Sequence, residues 1–212
     1  ELTNLSAKEM KNIRKNFQML FQDVYSSLDT RMKISKIVTE PLDIHNVGTK
    51  KERIERAKEL MIKVGLSEND LEKYPHQFSG GQRQRIGITR ALSINPEFII
   101  CDEPVSALDV SVQAQILNLL GDLKNEFNLS YLFIAHDLSV VKYISDRIIV
   151  MYLGKILEIA SSSDIYESPR HPYTEALLAA ISKNEAGSKR DILLKGNIPD
   201  PSNPPSGCVL HP

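Results

Sequence analysis

Two adjacent carboxylates follow a short apolar run near the middle of the chain. The run is Phe98–Cys101, and Asp102 and Glu103 come directly after it. Such a run suits a buried parallel strand, so both acids are predicted at the carboxyl edge of a sheet, where open α/β folds bind ligands. One carboxylate could support Mg²⁺, mostly through water, and the other could orient or deprotonate a water molecule. A strand that simply ends in solvated acids is the alternative.

A Ser-Gly-Gly triplet opens the helix that the pattern predicts over residues 79–95. Gly80 and Gly81 have no Cβ, so the backbone can approach a ligand closely, while Ser79 can cap the helix. A helix N-terminus offers free N–H groups and the positive end of the helix dipole, and both favour a phosphate. The alternative is a serine N-cap followed by a flexible loop. Gln82 and the Arg-Gln-Arg after it make the motif more specific than the triplet.

Three further residues follow predicted strands or turns. Gln22 follows an apolar stretch at 17–21, Asp109 closes a Ser-Ala-Leu-Asp run, and His136 follows a strand predicted at 131–135. None of these residues is informative in isolation, and a lone histidine after a strand is more often structural than catalytic. Only their order and spacing together can indicate a function.

The elements that must position these residues alternate between strand and helix patterns. Ser6 and Glu9 form a capping-box pattern before a short polar helix, and the apolar stripe from Ile54 to Val64 predicts a helix that ends at Gly65. Further predicted elements are a helix at 111–127, a buried strand at 131–135, a short helix at 138–144, two strands within 147–160 and a helix after Pro172. This alternation predicts an α/β fold with a mainly parallel sheet, followed by an extended, proline-rich tail at 183–212.

Taken in order, the motifs resemble those of ABC ATPases. Gln22, the Ser79–Gln82 helix start, Asp102-Glu103, the run ending at Asp109, and His136 resemble that family's Q-loop, signature, Walker B, D-loop and H-loop. The stretches FQDVYSSLDTRM, RHPYTEALLAAI and NPPSGCVLHP resemble the ATPase subunits of oligopeptide and dipeptide importers. Val24 and Thr30 stand where that subfamily is expected to have proline, and Phe78 stands where the signature is expected to begin with leucine.

This resemblance implies a P-loop NTPase-like fold with an inserted α-helical subdomain. It divides the chain into a partial ATPase core with the Q-loop at 1–28 and a helical subdomain at 29–78. The signature helix and the rest of the ATPase core follow at 79–160, and a C-terminal helix with the Pro-rich tail at 161–212. The phosphate-binding motif G-x-x-x-x-G-K followed by Ser or Thr is absent, and Gly154-Lys155 is the only Gly-Lys pair. We therefore expect the N-terminal part of the fold to be missing, with weak ATP binding and little hydrolysis by this chain alone.

The resemblance also implies roles for the site residues. In the family, two ATPase subunits enclose two ATP molecules, so the signature would contact the ATP of a second, identical or paralogous, subunit. Asp102 would support Mg²⁺, while Glu103 would act as general base or orient the water. The remaining implied roles are γ-phosphate contact for His136, sensing of Mg²⁺ and water for Gln22, contact with the partner's ATP for Ser79, Gly80, Gly81 and Gln82, and a place at the dimer interface for Asp109.

Composition bears on partners and location. The chain has 26 basic and 27 acidic residues, a formal net charge of -1, which gives no electrostatic reason to expect nucleic-acid binding. The longest apolar run, at 148–153, is too short to cross a bilayer. The resemblance implies transmembrane permease subunits and a second ATPase subunit as partners, an extracytoplasmic solute-binding protein as an indirect one, and a peripheral position on the cytoplasmic face of the cell membrane. The sequence does not identify the solute.

Two other functional classes remain open from the sequence. A non-transport ABC ATPase would share the motifs, although the long heptads and zinc modules of repair types are absent. An inactive remnant that only binds a partner would explain the missing phosphate loop. Cys101 reads as a small apolar strand residue, and Cys208 is the only cysteine of the tail, so we expect no Cys₄ metal cluster.

Overall fold

A computed structural model describes residues 2–182, 205–207 and 210. The chain divides into two compact units, Glu1–His136 and Asp137–Pro212. The prediction for Cys208 and most of the predicted tail at 183–212 lie outside the described residues. The four-segment division expected from the family resemblance stays a prediction.

The first unit contains a three-stranded parallel sheet. Its strands are β1 (Phe17–Leu20), β2 (Phe98–Asp102) and β3 (Ser130–Ile134), in the order β1-β2-β3. Leu20 pairs with Cys101, and Asp102 pairs with Ile134, so all three strands end at the same edge. The residues that follow the three strands therefore lie close together at this edge of the sheet.

Helices of the first unit supply the apolar core around this sheet. The helices α5 (Gly80–Leu92) and α6 (Val110–Phe127) bury isoleucine and leucine side chains, among them Ile86, Leu92, Ile116 and Leu120. The helices are α1 (Ala7–Ile13), α2 (Val24–Ser27), α3 (Ile34–Ile44), α4 (Lys50–Lys63), α5 (Gly80–Leu92) and α6 (Val110–Phe127), with 3-10 helices at Leu2–Asn4, Glu68–Glu72 and Pro75–Gln77.

Local capping signals fix where several helices begin and end. Ser6 and Glu9 form the predicted capping box of α1, and Thr49 forms one with Glu52 at the start of α4. Gly65 follows α4 with a φ of +76°. Its N–H donates to the carbonyl of Ile62, and the next N–H donates to that of Met61, so the last carbonyls of α4 find partners. The predicted capping box of Ser6 and Glu9 and the predicted helix end at Gly65 are confirmed, whereas the box of Thr49 and Glu52 was not predicted.

Strand β3 differs from its prediction as a buried strand. The side chains of Leu132 and Ile134 are each 44% exposed, whereas Tyr131 and Phe133 are half-buried. The strand lies at the edge of the described sheet, and successive side chains of a strand point to opposite faces. Within the part of the chain that the structure describes, one face of β3 is covered, by contacts such as the 3.0 Å hydrogen bond from the Tyr131 hydroxyl to the Leu120 carbonyl, and the other is exposed.

The second unit is built on an antiparallel hairpin. Its elements are α7 (Leu138–Ile144), β4 (Arg147–Tyr152), β5 (Lys155–Ser161), α8 (Ser162–Glu167) and α9 (Pro172–Ser182). Leu153 and Gly154 form the turn with φ values of +45° and +73°, as a tight two-residue hairpin requires. The hairpin and α9 were predicted from the sequence, but α8 was not.

In the parts of both units that the structure describes, no helix combines the length and the hydrophobicity needed to cross a bilayer.

Candidate functional site

Gln22, Glu103 and His136 meet at the carboxyl edge of the parallel sheet. Gln22 Nε2 donates a 2.8 Å hydrogen bond to Glu103 Oε2, and His136 Nδ1 lies 3.2 Å from Glu103 Oε1. The three residues follow β1, β2 and β3, so the parallel register brings them together. Both oxygens of the Glu103 carboxylate thus have a partner. This side chain is 24% exposed, and His136 is 73% exposed.

The backbone of Glu103 adopts a conformation that is unusual for a glutamate. Its φ is +42°, in the left-handed region. The Glu103 N–H donates to the carbonyl of Ile134 at 3.0 Å, and the Glu103 carbonyl accepts from Ser106 N–H at 3.2 Å and from Ser106 Oγ at 3.1 Å. These bonds hold the peptide in place and aim the carboxylate at the sheet edge. Backbone strain of this kind is often found at functional sites.

Asp102 is the last residue of β2 and is half-buried at the same edge. Among the residues that the structure describes, no group of three or more His, Cys, Asp or Glu side chains converges to form a complete metal cage. Mg²⁺ commonly takes only one or two protein carboxylates and completes its shell with water and nucleotide phosphates. A single carboxylate at Asp102, with the amide of Gln22 at the same edge, is a donor set that fits Mg²⁺ bound together with a nucleotide.

Ser79 and Gln82 cap the signature helix reciprocally. The Ser79 N–H donates to Gln82 Oε1 at 3.0 Å, and the Gln82 N–H donates to Ser79 Oγ at 3.4 Å. Ser79, Gly80 and Gln82 are exposed. The helix start therefore has a defined geometry, and its residues are accessible to a ligand or to another protein surface.

Gly80 and Gly81 differ in what surrounds them. A Cβ on Gly81 would lie 2.5 Å from Val112 Cγ1, far closer than real contacts allow, whereas a Cβ on Gly80 would lie 3.4 Å from Leu108 Cδ2, an ordinary contact. Gly81 is therefore required for α5 to approach α6. At Gly80 the chain itself imposes no such requirement, so a glycine there is available for close approach by a ligand.

Asp109 caps helix α6. Its Oδ1 accepts hydrogen bonds from the Val112 N–H at 3.0 Å and from Ser111 Oγ at 2.8 Å. The Val112 bond, and next the Ser111 bond, lower the pKa of Asp109. Since Gly80 and Gly81 face Leu108 and Val112, Asp109 lies in the segment that packs against the start of the signature helix.

The structure thus places the predicted site residues in two groups. Gln22, Asp102, Glu103 and His136 gather at the sheet edge. The signature residues and Asp109 belong to the adjoining N-terminal ends of α5 and α6. The functional roles of these residues stay predictions.

Sequence reasoning did not foresee the contacts of two residues that hold the site. Ser106 opens the Ser-Ala-Leu-Asp run already noted in the sequence, but its hydrogen bonds to the Glu103 carbonyl were not predicted. Arg90 donates from α5 to the Ser27 carbonyl at 2.7 Å, close to Gln22 in the chain. Its signal is a charged residue between Thr89 and Ala91, which are both buried.

Comparison with known protein families identifies the class of the chain. The family described as ABC transporter matches residues 1–106, and the C-terminal region of oligopeptide/dipeptide transporters matches residues 157–212. The chain belongs to the ABC transporter family, with its ATP-binding domain. The predicted resemblance is thereby confirmed, including the oligopeptide and dipeptide subfamily.

Two individual relatives match this chain along its whole length. The oligopeptide transport ATP-binding protein AppF of Bacillus subtilis is 54% identical over 215 residues, which cover 100% of this chain and 65% of AppF. A putative peptide import ATP-binding protein of Brucella ovis is also 54% identical, with 100% of this chain and 67% of that protein covered. This chain therefore spans about two thirds of the length of these relatives.

A solved structure supports the fold. A dimeric post-hydrolysis state of the ATP-binding cassette MJ0796, bound to ADP and Pi, matches with a TM-score of 0.65 and 31% identity. The match covers 75% of this chain and 68% of that one. The predicted P-loop NTPase-like fold is confirmed.

Proposed function

We propose that this chain is the nucleotide-hydrolysing part of an ATP-binding subunit that energises peptide import. The observation that carries the proposal is the convergence of Gln22, Glu103 and His136 beside Asp102 at one edge of a parallel sheet. The names of the similar proteins, an oligopeptide transport ATP-binding protein and a putative peptide import ATP-binding protein, support peptides as the solute class.

In the proposed hydrolysis, Glu103 orients the attacking water and accepts its proton. Gln22 and His136 hold the two carboxylate oxygens, which orients the base before the reaction. His136 also contacts the γ-phosphate and stabilises the charge that develops there. Asp102 would hold Mg²⁺, which neutralises phosphate charge when bound.

The signature residues act on a second subunit in this proposal. Ser79, Gly80, Gly81 and Gln82 contact ATP held by a partner ATPase subunit, and Asp109 lies at the interface between the two. The exposure of Ser79, Gly80 and Gln82 supports this role, because all three are accessible to another chain. Since these 212 residues contain no phosphate loop, we propose that they bind Mg²⁺-ATP only weakly by themselves.

The partners and location follow from the proposed importer function. The chain would associate with transmembrane permease subunits at the cytoplasmic face of the cell membrane. An extracytoplasmic solute-binding protein would act on it only indirectly, through the permease.

ATP turnover by a chimera tests the hydrolytic role. A phosphate-loop segment from an ABC ATPase is fused before residue 1, and Mg²⁺-dependent phosphate release is measured with Glu103→Gln. We expect turnover to fall about a hundredfold or more, because the water loses its base. Glu97→Gln is the matched control, since Glu97 precedes the same strand at its opposite end and should leave turnover unchanged.

Three results would contradict parts of this proposal. Turnover that is unaffected by Glu103→Gln would remove the assigned base. Tight binding of a fluorescent ATP analogue to the unfused chain would contradict the proposed weak binding. Failure of the active chimera to restore peptide uptake in cells lacking a matching oligopeptide ATP-binding subunit would favour a non-transport ABC ATPase instead.

A further inference from the structure

Arg90 is a half-buried arginine near the C-terminal end of α5. Its Nη1 donates a 2.7 Å hydrogen bond to the Ser27 carbonyl, and its Nη2 lies 3.4 Å from Ser27 Oγ. Burial lowers the pKa of Arg90, and the nearby charge of Glu40 acts in the opposite direction. Removing a guanidinium from water is costly, so a buried arginine needs hydrogen-bond acceptors of this kind.

The acceptor lies on the segment that carries Gln22. Ser27 ends α2, a single helical turn that begins two residues after Gln22. The last carbonyls of a helix have no partner within that helix, and Arg90 satisfies the one at Ser27. Ser27 Oγ donates in turn to the Val24 carbonyl at 2.9 Å. Arg90 therefore contacts the C-terminal end of α2, a helical turn that its own internal hydrogen bond also stabilises.

Apolar packing reinforces this contact one turn earlier on α5. Val24 is 7% exposed, and its Cγ1 lies 3.4 Å from the position that a Cβ would take on Gly87. Residues three apart lie on the same face of a helix, so Gly87 and Arg90 together form one contact surface on α5 for α2.

We propose that Arg90 is a positioning residue that joins the Gln22 segment to the helix that begins at the signature. A helix rises about 1.5 Å per residue, so Arg90 lies about 16 Å along α5 from Ser79. This connection between α2 and α5 is called the joint below. Through the joint, a displacement of the Gln22 segment at the sheet edge moves the signature residues at the start of α5 together with it. The use of this movement in hydrolysis rests on the function proposed above, but the joint itself does not.

Arg85 of the same helix provides a matched comparison. Its Nη1 donates to the Val64 carbonyl at 2.5 Å, at the end of α4, and its Nη2 lies 3.4 Å from Gln115 Oε1. Arg85 and Arg90 thus both reach from α5 to the carbonyl end of another helix, but they hold different helices. Loss of either guanidinium should loosen only the segment that it contacts.

Hydrogen–deuterium exchange of the purified chain without nucleotide tests the joint. In Arg90→Met, amide exchange in peptides covering 24–28 should rise about tenfold or more, as expected for loss of a charged hydrogen bond. Arg90→Lys should recover part of this protection, because lysine keeps a charged donor. Arg85→Met should increase exchange at 62–66 and leave 24–28 unchanged. An equal rise at 24–28 in both methionine variants, or none in Arg90→Met, would overturn the proposal.

The unmodified chain gives a second test that does not depend on whether a variant folds. At low denaturant concentrations, the amides of 27–28 and of 87–92 should exchange through one common opening, with the same denaturant dependence. Exchange of 27–28 at the rate of an open loop would overturn the joint. Because neither test uses ATP, an inactive chimera would count against the proposed function while leaving this inference standing.

Discussion

Gln22 and Glu103 are 81 positions apart in the sequence and are joined by a 2.8 Å hydrogen bond. The bond exists because β1 and β2 pair in parallel and end at the same level, with Leu20 opposite Cys101. It leaves Glu103 oriented from one side by an amide and from the other by the His136 imidazole. The strand register, more than either side chain, therefore creates the candidate hydrolytic site.

Substitutions of Glu103 should reveal the strain in its backbone. The left-handed conformation costs a residue with a Cβ about 1–2 kcal/mol, and glycine avoids this cost. We therefore expect Glu103→Gly to be about 1 kcal/mol more stable than Glu103→Ala in urea unfolding. At Glu97, where φ is not positive, the glycine variant should instead be less stable than the alanine variant. Equal stabilities for the two Glu103 variants would contradict the assigned strain.

The two signature glycines should respond differently to alanine. Gly81→Ala is expected to lower the free energy of unfolding by about 1–3 kcal/mol, because its Cβ would overlap Val112, whose β-branched side chain moves little in a helix. Gly80→Ala should change it by less than about 0.5 kcal/mol. A Val112→Ala substitution should restore much of the stability lost in Gly81→Ala, and additive effects in this double-mutant cycle would refute the steric explanation.

Cys101 should be chemically inert in the folded protein. Burial raises the pKa of its thiol from 9.0 to about 12, so the reactive thiolate is about a thousandfold scarcer than for an exposed cysteine. In a Cys208→Ser background, we expect negligible maleimide labelling at about pH 8 under native conditions and rapid labelling in denaturant, measured by mass spectrometry. Rapid native labelling would mean that the β2 core opens readily.

Asp109 should contribute a pH-dependent part of the stability. Its pKa is lowered from the ordinary value of 3.8 by hydrogen bonds from Val112 and Ser111. A carboxyl whose folded pKa is depressed stabilises the protein fully above its unfolded pKa, and this contribution disappears as pH falls through the folded value. The difference in Tm between the parent chain and Asp109→Asn should therefore become smaller as the pH falls from the unfolded pKa of Asp109 through its folded pKa. A difference that is independent of pH would show that the cap does not depend on charge.

Local signals in the sequence determined much of the secondary structure. The capping residues Ser6, Thr49 and Ser79 and the glycine at position 65 act on groups within a few residues of themselves, so their effect can be anticipated without the fold. The order of the motifs likewise indicated the family, because it depends only on position along the chain. The alternation of strands and helices indicated the α/β class for the same reason.

Only the tertiary structure decided how these pieces work together. The half-exposure of β3 depends on what covers each face of the sheet. The close approach at Gly81 depends on α6, and the contact of Arg90 with Ser27 joins residues 63 positions apart. The positive φ of Glu103 accompanies hydrogen bonds to Ile134 and Ser106. Each of these features arises from packing between distant segments, which no periodicity or capping pattern encodes, whereas the residue types at the sheet edge were already readable from the sequence.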